Sequence, residues 1–193
     1  MTSLQVLLSD LTGSDEDRAE KAASILIDLG EEAIPALLDL TRSSDVDSRW
    51  WGLRVLAQSP HASRQAEWLV PFLNDPAPEV RQCAALGLSI KPTESAIQPL
   101  SRALSDEDAM VSNLAANALV KIGGAAVPEL IEVVKNASQS ARIHALRALV
   151  EIRDHRAISL MMQVIQEDSA LLQHWAKEGL ERLGLDMVYI KPV

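Results

Sequence analysis

The chain has 193 residues, enough to bury a substantial core, and its 48% apolar and 23% charged residues are an ordinary soluble composition. The formal net charge is −9, and residues 1–50 carry −7 of it with eleven acids against four bases. No basic stripe is present to displace counterions from phosphate or to meet an acidic membrane surface, so neither a nucleic-acid nor a membrane partner is expected.

Aromatic residues are only 3%, whereas Ala and Leu are abundant, which favours packed helices over sheet. In chain order, Leu4, Leu7, Leu8 and Leu11 show helical spacing and predict a lone N-terminal capping helix over 3–11. A first helix then follows near 15–29, opened by Ser14-Asp15 and closed by Gly30, and a second near 33–41, opened by Ala33-Ile34-Pro35. The same alternation predicts first helices near 46–58, 77–90, 107–122, 138–152 and 168–183. Second helices fall between them near 62–74, 94–104, 125–135 and 155–166, with Pro71 placed to kink or restart the first of these. The remaining tail, with its apolar Met187-Val188-Tyr189-Ile190, is expected to cover the open end of the last repeat.

Beneath these elements lies a repeat. Leu26, Leu56, Leu88, Leu119, Leu149 and Leu180 recur at gaps of 30, 32, 31, 30 and 31 residues. Four residues before each stands a small one: Ala22, Gly52, Ala84, Ala115, Ala145 or Ala176. Seven before stands Arg49, Arg81 or Arg142, replaced elsewhere by Ala19, Ser112 and Gln173. A helix pair of this length cannot bury its apolar face alone, so neighbouring pairs must stack, with the small residue permitting close approach and the leucine filling the seam.

The segment Asp75-Pro-Ala-Pro-Glu-Val-Arg81, followed by Cys-Ala-Ala-Leu-Gly-Leu88, resembles the HEAT repeat in its short phycobilisome-lyase HEAT-like form. The resemblance spans roughly residues 14–184 and implies an all-α, right-handed solenoid of about six helix pairs, forming one domain over 1–193. It also implies a ladder between an Asp near the turn and the first-helix Arg, broken here wherever the Arg is lost.

Enzyme motifs are absent: there is no glycine-rich phosphate loop, no Gly-x-Ser-x-Gly and no His-Glu-x-x-His. His144 and His174 occupy nearby columns, yet neither is read with a carboxylate at metal-site spacing. The single Cys83 shares a column with Trp51, Leu114, His144 and Trp175 and reads as packing. A chain without enzymatic activity, resident cofactor or metal is therefore expected, cytoplasmic by default because no apolar run approaches the roughly 18 residues of a membrane span.

The second helices are expected to line a concave face. Its outward columns would hold Leu40, Trp68, Phe72, Val133, Leu160 and Val164 as an apolar strip. Trp68 and Phe72, four apart, would project from one side of a helix as an aromatic anchor. Asp39, Arg102, Glu129, Glu132 and Gln163 would flank the strip, and the other outcome is that these side chains turn into the core. Trp50 reads as exposed and as a second contact, while Trp51 reads as core. The leading expectation is a scaffold or adaptor that holds a protein partner on this face. The resemblance implies an alternative, a bilin-lyase-like or phycobilisome-associated subunit, and a self-associating structural protein is the third reading.

Overall fold

The computed structural model describes residues 3–61, 66–167 and 169–185; the apolar tail segment expected to cap the last repeat lies outside them. All regular structure among the described residues is helical, arranged in two compact units, Met1–Lys91 and Pro92–Val193.

In the first unit α1 (Leu4–Leu11) packs on α2 (Glu16–Leu29), α3 (Ile34–Leu40) on α4 (Val46–Gln58), and a 3-10 segment (Ala66–Asn74) on α5 (Pro78–Ile90). The first helices lie side by side, α2 against α4 and α4 against α5. Polar side chains close the helix starts: Asp15 accepts from the Arg18 N–H and Asp45 from the Ser48 N–H. Gly30 ends α2 at φ 63°, a conformation that a Cβ would strain. The recurring Leu26, Leu56 and Leu88 are all but inaccessible to solvent, and each contributes about 2 kcal/mol by leaving water.

Gly52 shows why the small column is needed. A Cβ there would stand 2.9 Å from the Leu37 carbonyl oxygen and 2.9 Å from the Leu40 Cβ, so α3 and α4 approach as closely as backbone allows. Arg49, on the same helix, donates to both Asp75 oxygens at 2.9 and 2.8 Å and to the Ser43 and Ser44 carbonyls. This is one rung of the expected ladder. Burial opposes ionisation of Asp75. The hydrogen bonds from Arg49 and the Ala77 N–H, with the charges of Arg49 and Arg81, outweigh it and hold the carboxyl below the usual range.

The second unit contains α6 (Ile97–Ala103), α7 (Ala109–Ile122), α8 (Val127–Asn136), α9 (Gln139–Ile152), α10 (Ile158–Glu167) and α11 (Ala170–Arg182). Helices α6 and α7, α8 and α9, and α10 and α11 pack in turn, and α7, α9 and α11 lie side by side as the first-helix layer. Short 3-10 turns, Glu94–Ala96, Gly123–Ala126 and His155–Ala157, lead into the second helices. Residues Ala109–Asn136 are long and apolar enough to cross a membrane, but Gly123 at φ 76° breaks them into α7 and α8. Arg153 ends α9 in the left-handed region at φ 56°, where glycine would be the usual choice.

One expected second helix differs. Ala66–Asn74 winds as 3-10 throughout, with Pro71 inside it. Proline supplies no N–H and its ring crowds the preceding turn, so the α-helical ladder does not form there.

Candidate functional site

The second-helix face carries the expected binding residues, but not as an apolar strip. Trp68 and Leu40 are half-buried and pack on the core of the first unit, so the aromatic anchor is largely spent on folding. Phe72 is half-buried too. In a 3-10 segment residues three apart are stacked and residues four apart diverge, so Trp68 and Phe72 do not share one side. Leu160 and Val164 are 6% and 4% exposed and belong to the core of the second unit, as the other outcome held.

What remains open on this face is polar. Asp39 is exposed and paired with Arg42 at 3.2 Å, and Glu132 is exposed and pairs with Lys135 at 2.9 Å. Gln163 is exposed and Val133 half-buried. Arg102 and Glu129 do come together, lining a groove of about 550 Å³ between α6 and α8 with Ile97, Pro99 and Pro128 as its apolar floor. Neither has an ion-pair partner among the described residues.

Trp50, expected to be exposed, is half-buried. It meets Trp51 edge-on at 4.9 Å, and the Arg54 guanidinium lies over both rings at 5.1 and 4.9 Å. Arg54 also donates to both Glu20 oxygens, at 2.6 and 3.0 Å. The cluster is a completed cation–π and ion-pair assembly joining α2 to α4, which explains Trp50 without a partner.

The sequence reading passed over a second cleft, on the first-helix face of the second unit. It holds about 160 Å³ between α7, α9 and α11 and is lined by Asn113 and Asn117, by His144, Arg147 and Glu151, and by Trp175, Glu178 and Arg182. Arg182 is committed, donating to Glu151 at 2.8 Å and Glu178 at 2.7 Å. Arg147 lies over the Trp175 ring at 5.2 Å. The Nδ1 of His144 is buried and meets no partner among the described residues. Burial, then the Arg147 charge, hold the His144 pKa below the ordinary histidine value, so the ring is neutral at pH 7. A signal for this cleft was available: the columns two residues before and two after the recurring leucine read Arg147–Glu178 and Glu151–Arg182, charges that alternate from helix to helix.

His174 does have a carboxylate four residues on, Glu178 at 4.0 Å, contrary to the sequence reading. Among the described residues no three His, Cys, Asp or Glu side chains gather as a metal set. Cys83 is buried, and burial pushes its thiol up to about 12, which makes it unreactive at neutral pH.

The HEAT repeats family matches residues 66–127 and 114–181. The bilin biosynthesis protein RpcF of Synechococcus sp. (strain WH8020) is 31% identical over 94 residues, which are 48% of this chain and 45% of RpcF. The chain thus spans less than half the length of that relative. Among solved structures, the complex of CpcE and CpcF of phycocyanin lyase from Nostoc sp. PCC7120 is similar at a TM-score of 0.57 and 23% identity, covering 75% of this chain and 96% of that one. The archaeal HEAT-like repeats protein from Thermococcus onnurineus NA1 superposes at 0.65 with 14% identity, over 95% and 81% of the two chains. A designed armadillo repeat protein in complex with the peptide (KR)4 superposes at 0.53 with 18% identity, over 94% and 100%. The expectation of a chain without enzymatic activity is overturned by the likeness to RpcF, a bilin biosynthesis protein. Absent motifs misled because the enzyme signatures sought belong to other folds, and a site grafted on a solenoid need not reproduce any of them.

Proposed function

Because this chain belongs to the HEAT-repeat family, we propose that it is one subunit of a bilin-lyase-like assembly, holding a protein partner while a tetrapyrrole-carrying protein is processed. The observation that carries this reading is the 31% identity to RpcF across 94 residues. The fold likeness to the structure of CpcE and CpcF supports its second half, since those two proteins form a complex. The groove of Arg102 and Glu129 is the surface that fits the partner-holding role: an apolar floor offers contact area and the unpaired charges set register. A cytoplasmic location belongs to the same proposal.

Co-expression tests it. The chain is produced in a bilin-synthesising host with a phycocyanin subunit and a CpcE-type partner, and the phycocyanin subunit is isolated under denaturing conditions. Visible absorbance that stays with the denatured polypeptide, and falls to background when this chain is omitted, is the expected result. Equal absorbance with and without the chain, at equal soluble expression, refutes the reading.

A further inference from the structure

The geometry points to a binding site for the carboxylate arm of a small organic molecule, in the cleft between α7, α9 and α11. Arg54 and Arg147 each stand two residues before a recurring leucine, Leu56 and Leu149, so they hold equivalent places on first helices. Both guanidinium groups lie over tryptophan rings, Arg54 over Trp50 and Trp51, Arg147 over Trp175 at 5.2 Å. Stacking fixes the plane of the guanidinium and leaves its hydrogen-bonding edge to choose a partner.

For Arg54 that partner is built in. Glu20, six residues before Leu26 on the preceding first helix, accepts two hydrogen bonds from it. The equivalent residue for Arg147, six before Leu119, is Asn113. Asn113 lines the cleft but carries no charge, and Arg147 has no carboxylate partner among the described residues. The second unit keeps a stacked guanidinium without the acid, the ring coming here from the next first helix, α11, rather than from its own.

The surroundings fit a carboxylate from outside. Glu151 and Glu178 also line the cleft, each giving one oxygen to Arg182, and neither is paired with Arg147 among the described residues. Placing the proton of neutral His144 on Nε2 avoids burying an unpaired N–H at Nδ1, and it adds a second donor to the lining. Asn113 and Asn117 supply amide donors, and Trp175 and Val120 give a wall for a short carbon arm. His144 takes the place that Trp51 has in the first unit. At about 160 Å³ the cleft lies below the ~300 Å³ usual for whole ligands, so it accepts one arm rather than an entire multi-ring molecule.

This inference does not rest on the bilin reading, and one experiment separates them. Glutarate and biliverdin, which carries two propionate arms, are titrated into the whole protein by calorimetry, with biliverdin dimethyl ester as the uncharged control. Glutarate is expected to bind at about millimolar concentration and to shift the His144 ring resonances. Two variants test the residues: Arg147→Ala removes the fork, and Asn113→Glu supplies the acid internally, as in the first unit. Both should weaken binding about tenfold or more, with helicity unchanged by circular dichroism. Biliverdin binding that needs Arg147 and is lost in the ester extends the site to tetrapyrroles. Glutarate binding without biliverdin binding keeps the site and counts against a bilin there. The inference is overturned if neither acid binds, if both variants bind like wild type, or if only a glutamate-rich peptide binds.

Discussion

Arg49 and Asp75 show what one side-chain pair contributes. Both are nearly buried, at 11% and 8% exposure, and the guanidinium meets the carboxylate with two parallel hydrogen bonds. Removing one member of such a pair leaves the other charge desolvated, so Asp75→Asn is expected to cost about 3 kcal/mol at pH 7. The sign of the pH dependence follows from the depressed carboxyl. The folded pKa lies below the unfolded value of about 3.9, so the pair's contribution is complete above that value and is lost as pH falls through the folded pKa. Urea unfolding of wild type and variant should therefore give a gap that is level from pH 7 to about pH 4 and narrows as the pH falls further. A gap that stays constant would mean that the carboxylate charge is not what stabilises. This rung was expected from the resemblance. The parallel Arg54–Glu20 pair was not, because it joins residues 34 apart whose meeting depends on how α2 lies against α4.

Helices are held together by the spacing of small and large residues. Gly52 admits the backbone of α3, and alanine there would press on a carbonyl oxygen and a Cβ that cannot swing aside. Helix propensity favours alanine by about 1 kcal/mol, but overpacking costs about 1–3 kcal/mol, and here the obstacle is backbone. Gly52→Ala is expected to lower stability by about 1–2 kcal/mol, read as a lower urea midpoint at unchanged slope. A variant as stable as wild type would show that α3 and α4 slide apart at no cost. The repeating small column was legible because it recurs at a fixed offset from the leucine. The 3-10 winding of Ala66–Asn74 was only half legible: Pro71 marks a disturbance, but whether the segment kinks, restarts or tightens is settled by its packing on α5.

For the whole chain, stability in stacked repeats is a sum of local terms, each repeat depending on its neighbours. The two compact units, Met1–Lys91 and Pro92–Val193, give that expectation a scale. Hydrogen exchange on Gly52→Ala should show protection lost in α2 to α4, with α8, α9 and α11 close to wild type. Uniform loss over both units would instead mean that the chain unfolds as one cooperative body.

By itself the sequence determined the helical class, the positions of nearly all helices and the family. Those features depend on local periodicity and on contacts one repeat away, and a period of about 31 residues displays both openly. It did not determine which columns face water. Leu160 and Val164 read as surface and lie in the core, because a rotation of a helix by one residue suffices to exchange the two. Nor did it show which polar groups lack partners. Arg54 and Arg147 look alike in the sequence, and only the helices beside them, one bringing Glu20 and the other Asn113, decide that the first is satisfied and the second is open.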